Sequence, residues 1–303
     1  MKQRSILITG SSSGIGHDAA HRLKDAGWRV FATCRAEADC ERLRGEGLES
    51  FRLDYADEGC IAAAVDEALA RTGGTLDAVF NNGAFACPGA VEDLPRGALR
   101  EIFETNLFGV HDLTRRVIPV MRAQGHGHIV NCSSVLGFTG LKWRGAYVAT
   151  KFAMEGLSDV LRLEMADTGV RVVLIEPGPI TSLIRQNSIP HFERWIDWHS
   201  SPRAAQYEST LLKRLYESRG PDRWELPASA VSHVQPAVRR SRPFAVLPRA
   251  SSPASQPAPK SVSARPAAHR AWARSRATPA QPRAPRPPTD HQPGPSACGA
   301  AKP

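Results

Sequence analysis

The sequence has no run of apolar residues near the roughly 18–20 that a membrane-spanning helix requires. Its N-terminal apolar run, Ile6-Leu7-Ile8, is too short for a secretory signal and ends in a glycine turn. The six cysteines form no Cys-x-x-Cys pair and have no histidine at metal-ligand spacing. These absences disfavour membrane-spanning and disulfide-stapled classes, and they predict a cytoplasmic protein with free, buried thiols.

Acidic residues are nearly missing from the last 73 residues, where Asp290 stands alone against 12 Lys and Arg. Residues 1–230 carry 27 Lys and Arg against 29 Asp and Glu, so the net charge of +9 arises in residues 231–303. Pro, Ala, Arg and Ser make up 50 of these 73 residues. A segment of this composition buries too little apolar surface to offset the conformational entropy that it would lose on folding. We predict one globular domain over 1–230 and a disordered basic tail over 231–303.

Short β-rich runs alternate with helical stretches through the first 180 residues, and several of the runs are apolar at consecutive positions. Consecutive apolar residues indicate strands that are buried on both faces. The pattern predicts an α/β fold with a Rossmann-type, doubly wound parallel sheet, whose ligands bind beyond the carboxyl ends of the strands. The predicted strands are Ser5–Thr9, Arg29–Thr33, Glu49–Leu53, Leu76–Asn81, His128–Cys132 and Val170–Ile175, and the main helices are Gly16–Ala26, Gly59–Arg71, Leu99–Arg122 and Ala146–Asp167.

A glycine-rich turn, Thr9-Gly-Ser-Ser-Ser-Gly-Ile-Gly16, follows the first strand and opens a helix. Glycine lets the backbone approach a pyrophosphate closely, and the helix N-terminus offers N–H donors to it. Three residues separate the first two glycines, so the spacing differs from G-x-G-x-x-G, and a plain structural turn is the alternative. The residues assigned here to cofactor binding are Gly10, Ser12, Ser13, Gly14, Ile15 and Gly16.

The acid that would bind the adenosine ribose is missing at the end of the second strand, where the sequence reads Ala32-Thr-Cys-Arg35. A carboxylate there would repel a 2′-phosphate, whereas the Arg35 guanidinium can bind one through two charge-assisted hydrogen bonds. This favours NADP over NAD, and a solvated surface arginine is the alternative interpretation.

Polar residues recur after the later strands, at the edge where a ligand would lie. Any one of them has an ordinary structural explanation as a cap, a core tyrosine or a solvated lysine. Tyr147 and Lys151, four residues apart on a predicted helix, share one face. The set comprises Asp54, Asn81-Asn82-Gly83-Ala84, Asn106, Ser133-Ser134, Tyr147 and Lys151.

Together these motifs resemble the short-chain dehydrogenases/reductases over about residues 3–226. The matching segments are Thr9–Gly16, Asn81–Ala84, Asn106, Ser134, Tyr147-x-x-x-Lys151 and Pro177-Gly178-Pro179-Ile180-Thr181. Within the family the chain is similar to the NADP-dependent carbonyl and aldehyde reductases, near the retinol and 17β-hydroxysteroid dehydrogenases. The order Gly83-Ala84 reverses the more common Ala-Gly and keeps two small residues there.

The resemblance implies an oxidoreductase that transfers a hydride between NADP(H) and an aldehyde, ketone or alcohol. It makes Tyr147 the general acid/base, Ser134 the group that orients the carbonyl, and Lys151 the residue that lowers the tyrosine pKa. Asn106 would hold a water of a proton relay. The further cofactor residues that it implies are Arg35, Asp54, Asn81, Gly83, Tyr147, Lys151, Pro177, Gly178, Ile180 and Thr181.

The segment 182–226 is predicted to hold a substrate lid, with ordinary helix packing as the alternative. Its apolar side chains favour a small hydrophobic substrate. The resemblance also implies a homodimer or homotetramer formed through Leu99–Arg122 and Ala146–Asp167. No metal site is expected, since His17, His111, His126 and His128 are read as having no partner at ligand spacing. The apolar lid residues are Leu183, Ile184, Ile189, Phe192, Trp195, Ile196 and Trp198.

The tail leaves three interpretations open: a solvated extension, an anion-binding arm, or the product of a reading frame lost near residues 230–235. The last is favoured because the resemblance implies a helix, which Leu226 to Val231 begins, and a final strand near residue 250. A GC-rich gene read out of frame yields Ala, Pro, Arg and Ser. Two other functions also stay open, a non-catalytic NADP-binding regulatory protein and a nucleic-acid binder that acts through the tail.

Overall fold

The computed structural model describes residues 3–217 and 225–231. Six parallel strands form one sheet in the order β3-β2-β1-β4-β5-β6, so the strand order reverses between β1 and β4. This arrangement confirms the predicted doubly wound sheet, and it opens a crevice at the carboxyl ends of β1 and β4. The strands are β1 (Ser5–Ile8), β2 (Arg29–Cys34), β3 (Glu49–Arg52), β4 (Ala78–Asn81), β5 (Gly127–Cys132) and β6 (Val170–Ile175).

Helices cover both faces of the sheet and connect its strands. They are α1 (Gly14–Asp25), α2 (Glu37–Gly45), α3 (Glu58–Thr72), α4 (Arg96–Phe103), α5 (Gly109–Ala123), α6 (Gly145–Glu164), α7 (Ile184–Trp195) and the single turn α8 (Ala204–Gln206). A π-helical turn, Glu104–Phe108, divides the predicted helix Leu99–Arg122 into α4 and α5. A second π-helical segment, Tyr207–Glu217, continues directly from α8.

The core lies on both faces of the central strands. Ile6, Leu7 and Ile8 of β1 are each 0% exposed. Ile6 and Ile8 pack into the cluster under α1 and α2, whereas Leu7 points into the opposite cluster under α3 and α5. The consecutive apolar residues of β1 therefore have the two-sided burial that the sequence predicts.

Local signals set the ends of α3. The Asp57 carboxylate caps its first turn by accepting a hydrogen bond from the Cys60 N–H at 2.9 Å. Gly73 ends the helix with a φ of 70°, a left-handed conformation that glycine adopts without a steric penalty.

The segment 225–231 differs from the helix expected to begin at Leu226. Leu226 instead runs beside the loop after β6, accepting from the Thr181 N–H at 2.8 Å and donating to the Pro179 carbonyl at 3.0 Å. These two bonds hold Leu226 extended, and one 3₁₀ turn, Ala228–Ala230, follows it. Val231 is 2% exposed and belongs to the core.

The predicted tail lies outside the described residues from residue 232 onward, so its disorder and its reading frame stay predictions. Among the described residues, no helix is long and apolar enough to cross a membrane. Free thiols occur at Cys34, Cys40, Cys60, Cys87 and Cys132.

Candidate active site

Thr9 joins the loops that meet at the carboxyl ends of β1 and β4. Its hydroxyl oxygen accepts from the N–H groups of Asn82 at 2.9 Å and Gly83 at 3.0 Å. The Tyr55 hydroxyl lies 2.8 Å from the same oxygen. Since all these groups are buried or partly buried, the loop after β4 is fixed against the glycine-rich turn.

The backbone of the glycine-rich turn packs so closely against neighbouring atoms that Gly10 and Gly16 have no room for a side chain. A Cβ at Gly10 would lie 2.6 Å from the Gly83 Cα, and one at Gly16 would lie 2.5 Å from the Gly10 oxygen. Gly10 and Gly14 both have a positive φ, at 63° and 61°. The Ser13 side chain makes no capping hydrogen bond to α1, which leaves the N–H groups of its first turn for a ligand. These residues fit a dinucleotide cofactor.

Tyr147 and Ser134 come together at the end of β5. Ser134 precedes the 3₁₀ turn Val135–Gly137, and its hydroxyl accepts from the Leu136 N–H at 3.1 Å. Tyr147 lies in the first turn of α6, close enough to Ser134 for the serine hydroxyl to favour the ionised form of the phenol. The structure thus brings the predicted pair together beyond the carboxyl end of β5.

Lys151 lies one turn further along α6 and is 2% exposed. Its Nζ donates to the Cys132 carbonyl at 2.6 Å and stands 5.5 Å from the centre of the Tyr147 ring. Burial lowers the pKa of Lys151, while the nearby Glu155 carboxylate raises it.

Burial raises the pKa of Tyr147, and the nearby Ser134 hydroxyl and the positive charge of Arg144 oppose that rise. The sequence analysis expects the opposite net direction, from the charge of Lys151. The difference has a physical cause: the Lys151 ammonium is bonded to the Cys132 carbonyl instead of the phenol, and desolvation outweighs the remaining charges. In this structure the Tyr147 phenol is held in its protonated form.

Asn106 lies in the π-helical turn and is 0% exposed. Its Oδ1 accepts from the Phe85 N–H at 3.1 Å, and its Nδ2 donates to the Phe85 carbonyl at 2.9 Å and to the Thr150 hydroxyl at 3.3 Å. The side chain therefore ties the loop after β4 to α6. The extra residue of a π turn, a feature frequent at functional sites, places the amide at this junction.

The predicted adenosine-side residues lie where β2 and β3 end. Arg35 is exposed just after β2, and its side chain makes no hydrogen bond or ion pair with the residues that the structure describes. Asp54 follows β3, and its carboxylate accepts from the Ala56 N–H at 3.0 Å.

Asn81 has a different environment from the one expected of a cofactor ligand. Its side chain is 1% exposed and belongs to a buried polar network. It accepts from the Tyr55 hydroxyl at 2.8 Å and donates to Asn131 at 2.8 Å and to Thr114 at 3.2 Å. The hydrogen bonds of Asn81 therefore stabilise the centre of the sheet, whereas Gly83 lies against the glycine-rich turn.

The loop after β6 closes the crevice on its far side. The Pro177 carbonyl accepts from the Val135 N–H at 3.0 Å, which places this loop beside Ser134. A Cβ at Gly14 would lie 3.2 Å from the Ser182 Cβ, so the same loop reaches the glycine-rich turn. Three further residues predicted to bind the cofactor lie in this loop. Gly178 follows Pro177, Ile180 forms a β-bridge with Leu226, and the Thr181 N–H donates to the Leu226 carbonyl.

An apolar and aromatic wall stands over Tyr147. Phe192 and Ile196 are 1% and 5% exposed, and they pack with Phe85 and Tyr207 in the same cluster as Tyr147. Ile189, Trp195 and Trp198 lie against this cluster, whereas Leu183 and Ile184 are 49% and 38% exposed. The predicted lid residues thus divide into a wall that contacts the site and two exposed positions.

A family model described as short chain dehydrogenase matches residues 4–191. The chain belongs to this family. An uncharacterized oxidoreductase, YbbO from Escherichia coli K12, is 42% identical over 185 residues, which cover 61% of this chain and 69% of that protein. Human retinol dehydrogenase 8 is 33% identical over 204 residues, covering 62% of this chain and 64% of its own length.

Solved structures of short-chain dehydrogenases share the fold. One from Burkholderia phymatum in complex with NAD aligns with a TM-score of 0.69 at 24% identity, covering 80% of this chain and 89% of the other. A variant of actinorhodin polyketide ketoreductase with NADPH aligns with a TM-score of 0.64 at 27% identity, covering 80% and 95%. The chain is thus an oxidoreductase of the short-chain dehydrogenase family, and these two solved structures hold NAD and NADPH.

The sequence analysis assigns no role to Asn82 and does not name Tyr55, and the structure gives both of them contacts in this short-chain dehydrogenase site. The Asn82 amide donates to the Thr9 carbonyl at 3.0 Å and to the Gly10 carbonyl at 3.1 Å, and it so fixes the glycine-rich turn. Tyr55 is hydrogen-bonded to Thr9 and Asn81 and is 6% exposed. The paired asparagines after β4 gave a signal for Asn82, whereas nothing in the local pattern around Tyr55 distinguishes it from a core tyrosine.

His17 also differs from its sequence interpretation. It has a partner at metal-ligand spacing, because His21 lies four residues further along α1 and both rings reach Glu46. The i, i+4 spacing was readable from the sequence, whereas the contribution of Glu46 depends on how α2 packs.

Proposed function

We propose that this short-chain dehydrogenase is an NADP(H)-dependent reductase of apolar aldehydes and ketones. The observation that carries the proposal is that Ser134, Tyr147 and Lys151 lie together beyond the carboxyl end of β5, at the edge of the crevice. Lys151 lies one helical turn beyond Tyr147, and the glycine-rich turn bounds the same crevice. A non-catalytic regulatory protein would have no need of all three side chains in this arrangement.

Tyr147 acts as the general acid. NADPH supplies the hydride when it is bound. The Ser134 hydroxyl donates to the carbonyl oxygen of the substrate and stabilises its developing negative charge. The Tyr147 phenol gives its proton to the same oxygen, and its raised pKa suits this role, since a general acid must be protonated at the working pH.

The preference for NADP rests on Arg35. Its guanidinium is exposed just beyond β2, where the adenosine ribose of a dinucleotide lies in a doubly wound fold. With no partner among the described residues, it is available for a 2′-phosphate, which a carboxylate in its place would repel.

The substrate class follows from the wall over Tyr147, which Phe85, Phe192, Ile196 and Tyr207 supply. Such a surface favours hydrocarbon over charged groups. Two relatives carry the names retinol dehydrogenase 8 and 3-ketodihydrosphingosine reductase, and both of these compounds have long hydrocarbon parts.

A turnover assay tests the proposal. The full chain is given NADPH or NADH with a panel of aliphatic and aromatic aldehydes and ketones, and loss of the reduced nicotinamide absorbance is followed. We expect turnover with NADPH and a preference for apolar members of the panel. Tyr147→Phe should lower kcat by about 10²–10⁴-fold, the usual contribution of a positioned acid, and leave the NADPH dissociation constant within about threefold. Near-normal turnover in that variant would overturn the mechanism.

We also propose a homodimer or homotetramer formed through α5 and α6, in a cytoplasmic setting that suits the free cysteines. The support is a stripe of exposed apolar side chains along α6. Leu157, Val160 and Leu163 are 44%, 52% and 68% exposed, a pattern typical of a surface that another chain covers.

A further inference from the structure

His17, His21 and Glu46 form a cluster on the outer side of α1 and α2. The histidines are four residues apart on α1 and therefore share one face. Glu46 follows the last residue of α2. Its Oε2 lies 2.7 Å from the His17 Nε2 and 2.9 Å from the His21 Nε2, so two imidazoles converge on one carboxylate oxygen.

The donor atoms have the chemistry and spacing of a three-ligand metal site. One ligand atom from each of the three residues lies within 4.8 Å of the other two. Zinc bonds of about 2.0–2.2 Å in tetrahedral geometry place such atoms roughly 3.3 Å apart. The side chains are 33%, 35% and 28% exposed, so they can make this adjustment and solvent can supply the fourth ligand. Two imidazoles and a carboxylate suit a borderline ion such as Zn²⁺.

Outer contacts hold the carboxylate in its charged, oriented form. The Arg42 guanidinium donates to Glu46 Oε1, the oxygen that the histidines do not use, at 2.5 Å. The same guanidinium donates to the Ser12 carbonyl of the glycine-rich turn at 2.6 Å. Ligand carboxylates in metal sites are commonly hydrogen-bonded in this way.

We propose that His17, His21 and Glu46 bind a divalent transition metal of the Zn²⁺ type, with solvent in the fourth position. The site differs from the Tyr147 site in residues and elements, and it gives the metal no part in hydride transfer. On binding, the metal replaces the ring–carboxylate hydrogen bonds, and any proton on the coordinating nitrogens passes to solvent.

The test is calorimetric titration of the untagged, chelator-treated full chain with zinc chloride in a non-coordinating buffer. We expect one ion per chain. His21→Gln and Glu46→Gln should each weaken binding at least tenfold, since each removes a ligand of the ion. His126→Gln is the matched control, because His126 is also a surface histidine 2.9 Å from a carboxylate, that of Asp77, and stands apart from the cluster. Its affinity should equal that of the unchanged chain.

Two results would overturn the proposal: no binding up to millimolar zinc, or binding that His21→Gln and Glu46→Gln leave unchanged. The second result would place the ion elsewhere in the chain. Circular dichroism of the metal-free variants checks that they are folded, and His17→Gln serves if one of them is not. Cobalt(II) gives a second readout, since the visible absorption expected of a four-coordinate ion should be lost in the His21 variant and kept in the His126 variant.

Discussion

Tyr147 shows how burial and charge compete at a single residue. An ammonium about 4 Å from a phenolate would stabilise it by roughly 4 kcal/mol at an effective dielectric constant near 20, enough to lower the tyrosine pKa. The Lys151 ammonium instead donates to the Cys132 carbonyl. Burial therefore sets the direction of the Tyr147 pKa, and the protonated phenol is the form ready to give a proton to a carbonyl oxygen.

The proposed preference for NADPH also depends on a single residue, Arg35. We expect Arg35→Gln to raise the KM for NADPH roughly ten- to hundredfold, because hydrogen bonds to charged groups contribute about 1.5–3 kcal/mol and 1.4 kcal/mol is a factor of ten. The KM for NADH should stay within about twofold, since NADH has no 2′-phosphate. Steady-state kinetics with both cofactors and one aldehyde measures the two constants.

Arg171→Gln is the control for that experiment. Arg171, like Arg35, is an exposed arginine. It lies on β6, at the opposite edge of the sheet from β2 and β3. Its variant should keep both constants. An equal loss of NADPH and NADH affinity in Arg35→Gln would mean that the guanidinium supports the fold and does not read the phosphate.

The elements show what a sequence pattern can and cannot predict. The strands were predicted to within two residues at each end. Strands that are buried on both faces, such as β1, are marked in the sequence by a continuous apolar run. The order of glycines and the spacing of Tyr147 and Lys151 likewise place the site at one edge. The π turn at Glu104–Phe108 was not predicted, and the sequence analysis gave one continuous helix over Leu99–Arg122. Asn82 and Tyr55 escape because their roles depend on contacts between distant loops.

Glu101 anchors α7, the helix that carries the wall over Tyr147, to α4. Its carboxylate lies 2.9 Å from His191 Nδ1, accepts from the Trp195 indole N–H, and lies 3.6 Å from Arg194. We expect Glu101→Ala to raise the KM for an apolar substrate several-fold and to speed hydrogen exchange across α7, because a partly buried charge-assisted network is lost. The NADPH dissociation constant should change little.

Glu104→Ala is the matched control for the anchoring role. Glu104 lies three residues after Glu101 on the same helical run, but it is exposed. Its variant should keep both the substrate KM and the exchange rates of α7. If the two variants behave alike, Glu101 does not hold α7.

At the scale of the whole molecule, the excess of positive charge and the Rossmann-type fold lie in different regions of the chain. Residues 1–230 are nearly neutral, and residues 231–303 carry the excess of arginine. The structure adds that the fold continues into the segment 225–231, where Leu226 pairs beside the loop after β6 and Val231 enters the core. The boundary predicted from composition, at residue 230, falls one residue before that core contact.

At the same scale, the proposed assembly places the exposed stripe of α6 in the interface between chains. In a two-fold symmetric dimer every substitution occurs twice, so Val160→Glu would place two carboxylates in one buried apolar contact. Unpaired buried charges cost several kcal/mol, and we therefore expect a monomer at micromolar concentration where the unchanged chain is a dimer or tetramer. Light scattering coupled to size-exclusion chromatography measures the mass. Val91→Glu, at a side chain 74% exposed before α4, should keep the oligomer. If Val160→Glu keeps it as well, the chains meet through another surface.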